Sequence, residues 1–467
     1  MSKTNIELDN LALPTASSAP IDLLKDPIWK ALFFMALPAT IGFVFNTLYN
    51  VIDLIYARSW NGPEGTSTQD ALGATFPLFF LQLAFGIGLY QGATALISNA
   101  YGRGDSLAAR NIAIQATTFG FLIGLIVALV GVSLLFPALA TVQGLGGTEL
   151  NWASGYMVAI YSGGPLIIAN FALFALLSGA GNNLAFGISL SAAFFLNMIF
   201  NYVFMHVFGW GLVGLGVGTV LLQGPLNFLY VAWEVKRLGA LKGVRLKDFW
   251  PQRAQMLEIG RQALPASISM LIVAVHVLLI NGFASSYQPG TLGGLSAAAR
   301  IEQVMLLPII GVGIGALAII GQNYGAGQID RVRATFWLTS SVILGFTVLA
   351  TLVLTLFPTS LANLVATPGR EADVASDYLF YIGFGSIFFG FLYAATSFKT
   401  GMRQPLYSAG ANLMRLVVLP VGFIAFFQTL TDEFFAIAWG NLLATILAGI
   451  ITYAWVARSV FNLKDDG

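Results

Sequence analysis

An acidic residue inside an apolar stretch is the feature of this sequence most able to do chemistry. Asp53 stands in TLYNVIDLIYAR, residues 47–58, with apolar residues on both sides. A charged group near the middle of a membrane-spanning helix costs at least about 2.5 to 3.5 kcal/mol, and such groups usually face a bundle interior or a water-filled path. Burial also disfavours the charged form of a carboxyl group. We therefore expect Asp53 to take up and release a proton, or another small cation.

Other polar residues share the helical face of Asp53. Asn46, Asn50 and Asp53 are separated by four and three residues, a spacing that places them on one face of a helix. Tyr49 lies four residues before Asp53. A polar stripe on an otherwise apolar helix is expected to face protein. The alternative is an acid close to the membrane surface, whose carboxylate reaches water.

Two later apolar runs contain residues that could surround this carboxyl group. The stretch LNMIFN contains Asn197 and Asn201, which are four residues apart and therefore on one helical face. Thr219 lies in the next run. Each of these side chains could instead only join neighbouring helices by hydrogen bonds. Together with Asp53, they predict a small polar site for a proton or a cation.

A second set of polar residues lies in the C-terminal half. Arg300 and Glu302 occur in AARIEQV, but their two-residue spacing puts them on different helical faces. Arg415 follows Asn412 by three residues, which predicts a shared polar face. For each charge, a structural pairing and contact with a substrate are equally compatible with the sequence.

The composition identifies the class of protein that positions these residues. Of 467 residues, 57% are hydrophobic and 9% are charged, whereas soluble domains carry about a quarter charged residues. The mean hydropathy is +0.80. A net charge of +1 argues against nucleic acid as a partner. The sequence predicts a membrane protein in contact with lipid.

The residues needed for most enzyme and metal chemistry are missing from the sequence. There is no cysteine, which excludes disulfides and thiolate sites, and the two histidines, His206 and His276, are far apart. No GxSxG or P-loop motif occurs, so an intramembrane enzyme is the least supported hypothesis. We expect no metal and no cofactor, with H+ or Na+ acting as a coupling ion.

The apolar runs predict an all-α polytopic membrane protein. A bilayer core needs about 20 apolar residues per helix, and the sequence has about twelve such runs. The predicted spans are residues 31–57, 70–98, 111–136, 152–180, 184–208, 211–235, 257–286, 291–321, 334–358, 374–398, 405–430 and 433–457.

Charges in the connections predict the orientation in the membrane. Cytoplasmic loops are rich in lysine and arginine, and a cytoplasmic N-terminus places the most basic connections on that side. Those connections hold Arg103, Arg110, Lys236, Arg237, Lys242, Arg245, Lys247, Arg253, Arg331, Arg333, Lys399 and Arg403. The opposite loops hold Glu64, Glu149, Glu371, Asp373, Asp432 and Glu433, with Arg58 and Arg370 as bases. We expect an inner (plasma) membrane protein with both termini in the cytoplasm and no cleavable signal peptide.

The sequence also repeats itself at an offset of about 222 to 227 residues. An even number of spans per repeat predicts two pseudo-symmetric six-helix bundles related by an axis along the membrane normal, with a cleft between them. Rocking of two such halves against each other can open the cleft to one side of the membrane and then to the other. The matching stretches are ALPAT at 36–40 with ALPAS at 263–267, NAYGRGDSLAAR at 99–110 with QNYGAGQIDRVR at 322–333, and Tyr156 and Ile160 with Tyr378 and Ile382.

The repeat divides the chain into five regions. Ile280 stands at the position equivalent to Asp53, so the two halves differ in role. We expect a monomer, because each chain supplies both halves. The regions are a cytoplasmic tail at 1–29, an N-lobe at 30–236, a basic cytoplasmic linker at 237–256, a C-lobe at 257–460 and a cytoplasmic tail at 461–467.

In these features the sequence resembles the multidrug and toxic compound extrusion (MATE) family over nearly all of residues 28–460. The motifs that carry the resemblance are LYNVIDLIYAR, YGRGD, NMIFN, AARIEQVMLLP and QNYGAGQIDRVR, in this order along a chain of twice six helices. The resemblance implies two six-helix lobes in a V shape. It also implies efflux of amphipathic, often cationic compounds, coupled to inward movement of H+ or Na+.

The resemblance also implies roles for individual residues. Asp53 matches the first-helix acid of the family's N-lobe cation site, Asn197 the neighbouring asparagine, and Thr219 the sixth-helix threonine. Tyr156 matches a fourth-helix tyrosine. Asn201 departs from the pattern, because some DinF-like members have an aspartate there, so a two-acid site is absent.

The branch of the family follows from a further comparison of motifs. NorM-like members that use Na+ carry acids in the seventh and tenth helices, and the seventh run of this chain, ALPASISMLIVAVHVLLINGFA, has none. The DinF-like, proton-coupled branch is the better match, although one acid with amides could also bind Na+ weakly. The alternative function is a flippase for lipid-linked precursors or polysaccharides of the same superfamily, which would need a strongly basic cleft.

Overall fold

The computed structural model describes residues 21–60, 68–142, 145–240, 243–431 and 434–463. Within these ranges the chain is helical and contains no strand. Eleven helices are long and apolar enough to cross a membrane, and one bent helix pair makes a twelfth span. The predicted fold class and span number are therefore confirmed. Glu64, Lys242, Asp432, Glu433 and most of both predicted tails lie outside the described residues.

Spans 1 to 6 form the N-terminal half. Three of them continue through a short π-helical segment, which belongs to the span in each case. The six spans of this half are span 1, Ile28–Ser59; span 2, Thr68–Gly102; span 3, Ser106–Val130 with Gly131–Leu135 and Phe136–Val142; span 4, Gly147–Ser162 with Gly164–Gly179; span 5, Leu184–Asn201 with Tyr202–Val207; and span 6, Gly211–Leu221 with Leu222–Leu226 and Asn227–Arg237.

Spans 7 to 12 form the C-terminal half, after a 3-10 turn at Leu246–Phe249. A short helix, Pro358–Val365, lies between spans 9 and 10. The six spans of this half are span 7, Arg253–Ala284; span 8, Thr291–Gly325; span 9, Ile329–Leu356; span 10, Arg370–Gly401; span 11, Pro405–Leu413 with the π-helical Met414–Val418 and Leu419–Phe427; and span 12, Phe435–Phe461.

Span 4 is bent by 43° between its two helices. Pro165 is the second residue of the second helix. Proline has no amide hydrogen, and its ring clashes with the carbonyl group four residues earlier. The first helix therefore ends at Ser162. Pro38 and Pro265, which the repeat relates, lie inside spans 1 and 7 without ending either helix.

The two lobes meet where the repeated motifs of spans 2 and 8 cross. A Cβ atom on Gly102 would stand 2.0 Å from the carbonyl oxygen of Gln322, and one on Gly325 would stand 2.2 Å from that of Asn99. Only glycine allows the two backbones to approach this closely. The Gln322 amide also donates to the carbonyl of Gly179 in span 4 at 2.6 Å. We call this region, residues 98–102 and 321–325, the closed end.

Spans 1 and 7 also contribute to the contact between lobes. Thr40 of span 1 packs on Gly311 of span 8, and Ser267 of span 7 packs on Gly88 of span 2. Asp53 is about 20 Å further along span 1 than Thr40, at a rise of about 1.5 Å per residue. The acidic residue is therefore well removed from the point where the lobes touch.

Candidate functional site

Asp53 is buried inside the N-lobe, with 6% of its surface exposed. Its Oδ1 atom accepts a hydrogen bond from Nδ2 of Asn201 at 2.8 Å. Asn201 is the last α-helical residue of span 5 and is itself fully buried. The carboxyl group thus points into protein, as the polar stripe on span 1 predicted, and not at lipid.

Asn197 and Asn201 form a reciprocal amide pair beside the carboxyl group. Asn201 Nδ2 donates to Oδ1 of Asn197 at 3.0 Å, and Asn197 Nδ2 donates to Oδ1 of Asn201 at 3.3 Å. Their four-residue spacing puts both on the face of span 5 that meets span 1. The pair fixes both amides, so that an N–H group faces the carboxyl oxygen.

Two tyrosines and a threonine complete this cluster. The hydroxyl of Tyr49, one helical turn before Asp53, donates to Oγ1 of Thr219 in span 6 at 3.0 Å. Tyr156 of span 4 is buried and lies within electrostatic range of Asp53. The structure therefore brings together Asp53, Asn197, Asn201, Thr219 and Tyr156 from four spans. We call these five residues and Tyr49 the N-lobe cluster.

Asn46 and Asn50 lie outside the N-lobe cluster. Asn50 is exposed, and its side-chain amide donates to the backbone carbonyl of Asn46 at 2.9 Å. Asn46 is half-buried. The face of span 1 that meets the cluster is centred between Tyr49 and Asp53, so the two asparagines are displaced toward its edge. The sequence spacing alone could not distinguish these adjoining faces.

The C-lobe contains a second polar cluster, which includes two of the four residues predicted there. Glu302 and Arg415 are half-buried and lie within electrostatic range of each other. The Arg415 guanidinium lies over the Phe389 ring, with Cζ 4.6 Å from the ring centroid. Its Nε atom is buried and has no hydrogen-bond partner among the described residues. Arg300 is exposed and Asn412 is half-buried.

Sequence reasoning missed three members of this second cluster. Nδ1 of His276 donates to the carbonyl of Leu416 at 2.7 Å, and Arg415 lies close by. Asn441 donates to the hydroxyl of Tyr378 at 3.2 Å. Tyr378 also lies within electrostatic range of Glu302 and Arg415. We call Glu302, Arg415, His276, Tyr378 and Asn441 the C-lobe cluster.

The internal repeat was the signal that could have found part of the C-lobe cluster. Tyr378 is the repeat counterpart of Tyr156, and Asn441 lies at the same offset from Thr219. Each lobe therefore places its repeated tyrosine within electrostatic range of its own carboxyl group. The repeat relates the positions of the clusters, but their charged residues differ between the lobes.

The residues present determine what each cluster can bind. The N-lobe cluster offers one carboxyl group, two amides and several hydroxyls, which suits a proton or a small cation. The described part of the chain has no group of three or more His, Cys, Asp or Glu residues placed to hold a metal ion. The C-lobe cluster offers both a fixed cation and an acid, which suits polar groups on a larger molecule.

Comparisons with known proteins identify relatives over most of the chain. Multidrug export protein MepA of Staphylococcus aureus is 25% identical over 445 residues, which cover 92% of this chain and 94% of MepA. The probable multidrug resistance protein YoeA of Bacillus subtilis is 22% identical over 325 residues, covering 67% and 69% of the two chains.

Solved structures share the fold. A MATE protein in complex with MaD3S matches with a TM-score of 0.86 at 23% identity, over 94% of this chain and 98% of that one. A MOP superfamily transporter from Pyrococcus furiosus matches with a TM-score of 0.84 at 23% identity, over 94% and 97%. The two-lobe arrangement of twelve helices is therefore the fold of MATE transporters.

The family model named MatE matches the chain twice, over residues 38–203 and 265–425. One match falls in each six-span half, at the spacing of the internal repeat. Since the two matches together cover well over half of the sequence, the chain belongs to the MatE family, as its motifs predicted.

Proposed function

We propose that this protein is a secondary active multidrug efflux antiporter. It exports amphipathic, often cationic compounds in exchange for protons by alternating access of its two lobes. The observation that carries the proposal is the buried carboxyl group of Asp53, held by Asn201 at 2.8 Å inside the N-lobe. The names of MepA and YoeA, both multidrug proteins, support the substrate class.

The orientation of the two amides favours H+ over Na+ as the coupling ion. Hard cations take several oxygen ligands. In this site Asn201 turns its N–H group toward Asp53, and the amide oxygens of Asn197 and Asn201 already accept each other's hydrogens. A bound Na+ would require the amides to turn. A proton on the carboxyl group requires no such change.

The same contacts describe how Asp53 would exchange a proton. In the dry recess the neutral carboxyl group is favoured, because burial penalises the charged form. When water reaches the recess, the carboxylate becomes hydrated, and the Asn201 N–H group stabilises it. Residues from spans 1, 4, 5 and 6 surround this group, so a change in its charge acts on all four spans.

The C-lobe cluster is proposed to contact polar groups of the substrate. A buried donor without an acceptor costs about 1 to 3 kcal/mol, and Arg415 Nε is such a donor among the described residues. A substrate carrying an acceptor group would satisfy it, while Glu302 would receive a basic group. Arg300 and Asn412 lie outside the cluster but on the same two spans, and we propose them as further substrate contacts.

We also propose a location for the protein and its orientation in the membrane. The chain is a multi-pass membrane protein of a transporter family. We place it in the plasma membrane as a monomer with both termini in the cytoplasm, since the basic connections would then lie on the cytoplasmic side. In this orientation the closed end faces the cytoplasm.

Transport driven by separate ion gradients tests the proposal. Inverted vesicles with an acidic lumen should accumulate a cationic dye, because protons leaving the lumen drive the dye inward, whereas a Na+-loaded lumen should not. Asp53→Asn should abolish the pH-driven uptake, because an amide cannot exchange a proton. Fluorescence quenching of the dye measures the uptake.

Glu149→Gln is the matched control, because Glu149 is a half-buried acid in the first turn of span 4 and belongs to neither cluster. This variant should transport normally. Unchanged pH-driven uptake by Asp53→Asn would contradict the proposed role of Asp53. Uptake driven by Na+ instead would make Na+ the coupling ion. If a lipid diphosphate competed with the dye for uptake, the flippase function would be favoured.

A further inference from the structure

Two short segments lie just before the first span of each lobe, at the closed end. We call residues 21–27 leader 1, because they precede span 1. We call residues 246–252 leader 2, because they precede span 7. Leader 1 leads into the N-lobe and docks on the C-lobe. Leader 2 is the last part of the linker between the lobes; it leads into the C-lobe and docks on the N-lobe.

Leader 1 is held by polar side chains of the C-lobe. Nη2 of Arg331, in span 9, donates to the carbonyl oxygens of Leu23 at 3.1 Å and Asp26 at 2.8 Å. Nδ2 of Asn323, in span 8, donates to the Leu23 carbonyl at 3.1 Å. Arg331 Nε in turn donates to Asn323 Oδ1 at 2.9 Å, which fixes both donors.

Apolar side chains strengthen the docking of leader 1. Ile21 is 2% exposed and Leu23 is fully buried. Both belong to a core cluster that contains Ile319, Val332 and Phe336 of the C-lobe. Removing apolar side chains from water stabilises such a contact. Leader 1 is therefore packed into a core that it shares with the C-lobe and the first turns of span 1.

Leader 2 is held by a buried glutamine of the N-lobe. Nε2 of Gln115, in span 3, donates to the carbonyl oxygens of Asp248 at 2.8 Å and Trp250 at 3.0 Å. Oε1 of Gln115 accepts from the backbone N–H of Gln252 at 2.9 Å. One side chain thus binds three backbone groups of leader 2. Thr118 adds a hydrogen bond to the Phe249 carbonyl at 3.0 Å.

The two docking arrangements are related by the internal repeat. Leu23 and Trp250 stand at the offset that also relates Pro38 to Pro265, and both offer their carbonyl oxygens. Arg331 and Gln115 both lie in the third span of the opposite half. The side chains that bind the leaders differ, so the arrangement is repeated without the same residues being used.

We propose that the two leaders are crossed straps that hold the closed end shut. When the closed end opens, each leader leaves the opposite lobe, because each joins the two lobes directly across their contact. The hydrogen bonds of Arg331 and Gln115 therefore stabilise the closed-end arrangement relative to the opened one. This inference rests on the proposed alternating access, since it requires the closed end to open.

Labelling of a single cysteine tests the straps, since the natural chain has no cysteine to interfere. Ser98 is fully buried at the closed end. In purified Ser98→Cys protein, the rate of reaction with fluorescein maleimide reports opening of that end. Arg331→Ala and Gln115→Ala should each raise this rate about tenfold, because each removes hydrogen bonds that only the closed arrangement makes. The double variant should exceed either single variant.

Arg333→Ala is the matched control, because Arg333 lies on the same helix and its hydrogen-bond partners among the described residues, Asp330, Val460 and Leu463, all belong to the C-terminal half. It should leave the rate unchanged. A second reporter, Thr347→Cys, is buried in span 9 away from the closed end. If both reporters accelerate equally in the strap variants, the leaders act on global stability and the inference is wrong.

Two further outcomes separate this inference from the proposed function. If dye or acid accelerates labelling of Ser98→Cys while the strap variants do not, alternating access stands and the straps are overturned. If neither dye, acid nor the strap variants ever expose Ser98→Cys, the closed end does not open, and both proposals are overturned.

Discussion

At Asp53 the protein keeps a single carboxyl group between amide and hydroxyl side chains. Within the amide pair of Asn197 and Asn201, Asn201 turns an N–H group toward the carboxyl oxygen. Such an environment tolerates both forms of the acid, because burial favours the neutral form and the amide hydrogen bond favours the charged one. The balance between these two effects makes reversible proton exchange feasible at this position.

The hydrogen bond between Tyr49 and Thr219 allows a prediction at the scale of single residues. Tyr49→Phe should lower the free energy of unfolding by about 0.5 to 1.5 kcal/mol, because it removes a hydrogen bond between two buried groups. Thermal unfolding in detergent measures the change.

A double-mutant cycle with Thr219→Val provides the control for that prediction. If the two hydroxyls act as a pair, the double variant should lose less stability than the two single losses added together. Strict additivity would mean that the 3.0 Å contact contributes nothing of its own.

Among the elements, three of the four π-helical segments in the described residues lie close in sequence to members of the polar clusters. Tyr202–Val207 begins directly after Asn201, Leu222–Leu226 begins three residues after Thr219, and Met414–Val418 contains Arg415. A π-helical turn inserts an extra residue into a helix and is frequent at functional sites. These segments allow the polar face of each helix to be turned separately from the rest of its span.

The crossing of spans 2 and 8 gives a prediction at the scale of elements. Gly102→Ala and Gly325→Ala should each lower the free energy of unfolding by about 1 to 3 kcal/mol, because each new methyl group would meet a backbone carbonyl oxygen. Each should also reduce dye transport by keeping the closed end from forming. Thermal unfolding and vesicle uptake measure the two effects.

Gly345→Ala in span 9 is the control, because nothing lies within 4 Å of its added methyl group. This helical substitution should be neutral or stabilise the protein by roughly 0.5 to 1 kcal/mol. If the three alanine variants behaved alike, close backbone approach could not be the reason for glycine at 102 and 325.

At the scale of the whole molecule, one covalent bond across the closed end should stop transport, because it would keep the two lobes from separating there. A Cβ atom on Gly321 would stand 3.0 Å from the Cβ atom of Ser98, closer than the roughly 3.5 to 4.5 Å of a disulfide, so a small backbone shift would accompany the bond. The Ser98→Cys, Gly321→Cys double variant should lose dye transport after oxidation and regain it after reduction.

Each single variant is treated with the same oxidant as the control for this experiment and should keep its activity. Full transport by the oxidised double variant, with the cross-link verified by mass spectrometry, would exclude separation of the lobes at this point. The absence of natural cysteines makes the cross-link unambiguous.

The sequence was sufficient to predict the number of spans, the two related halves and the residues around Asp53. Hydrophobic runs of fixed length are local properties, and the repeat is visible by direct comparison. The spacing of Asn197 and Asn201 also predicted their shared helical face. The resemblance to a known family added Tyr156, which lies far from Asp53 along the chain.

Only the tertiary structure decided which residues meet across the lobes and within the C-lobe. His276 and Asn441 carry no local signal, since no charged residue lies within five positions of either in the sequence. Asn50 shares a helical face with Asp53 in the sequence pattern, yet it is exposed because the contact with span 5 is centred on the Tyr49 side. Helical periodicity determines which side chains share a face, whereas the packing of distant spans determines what that face touches.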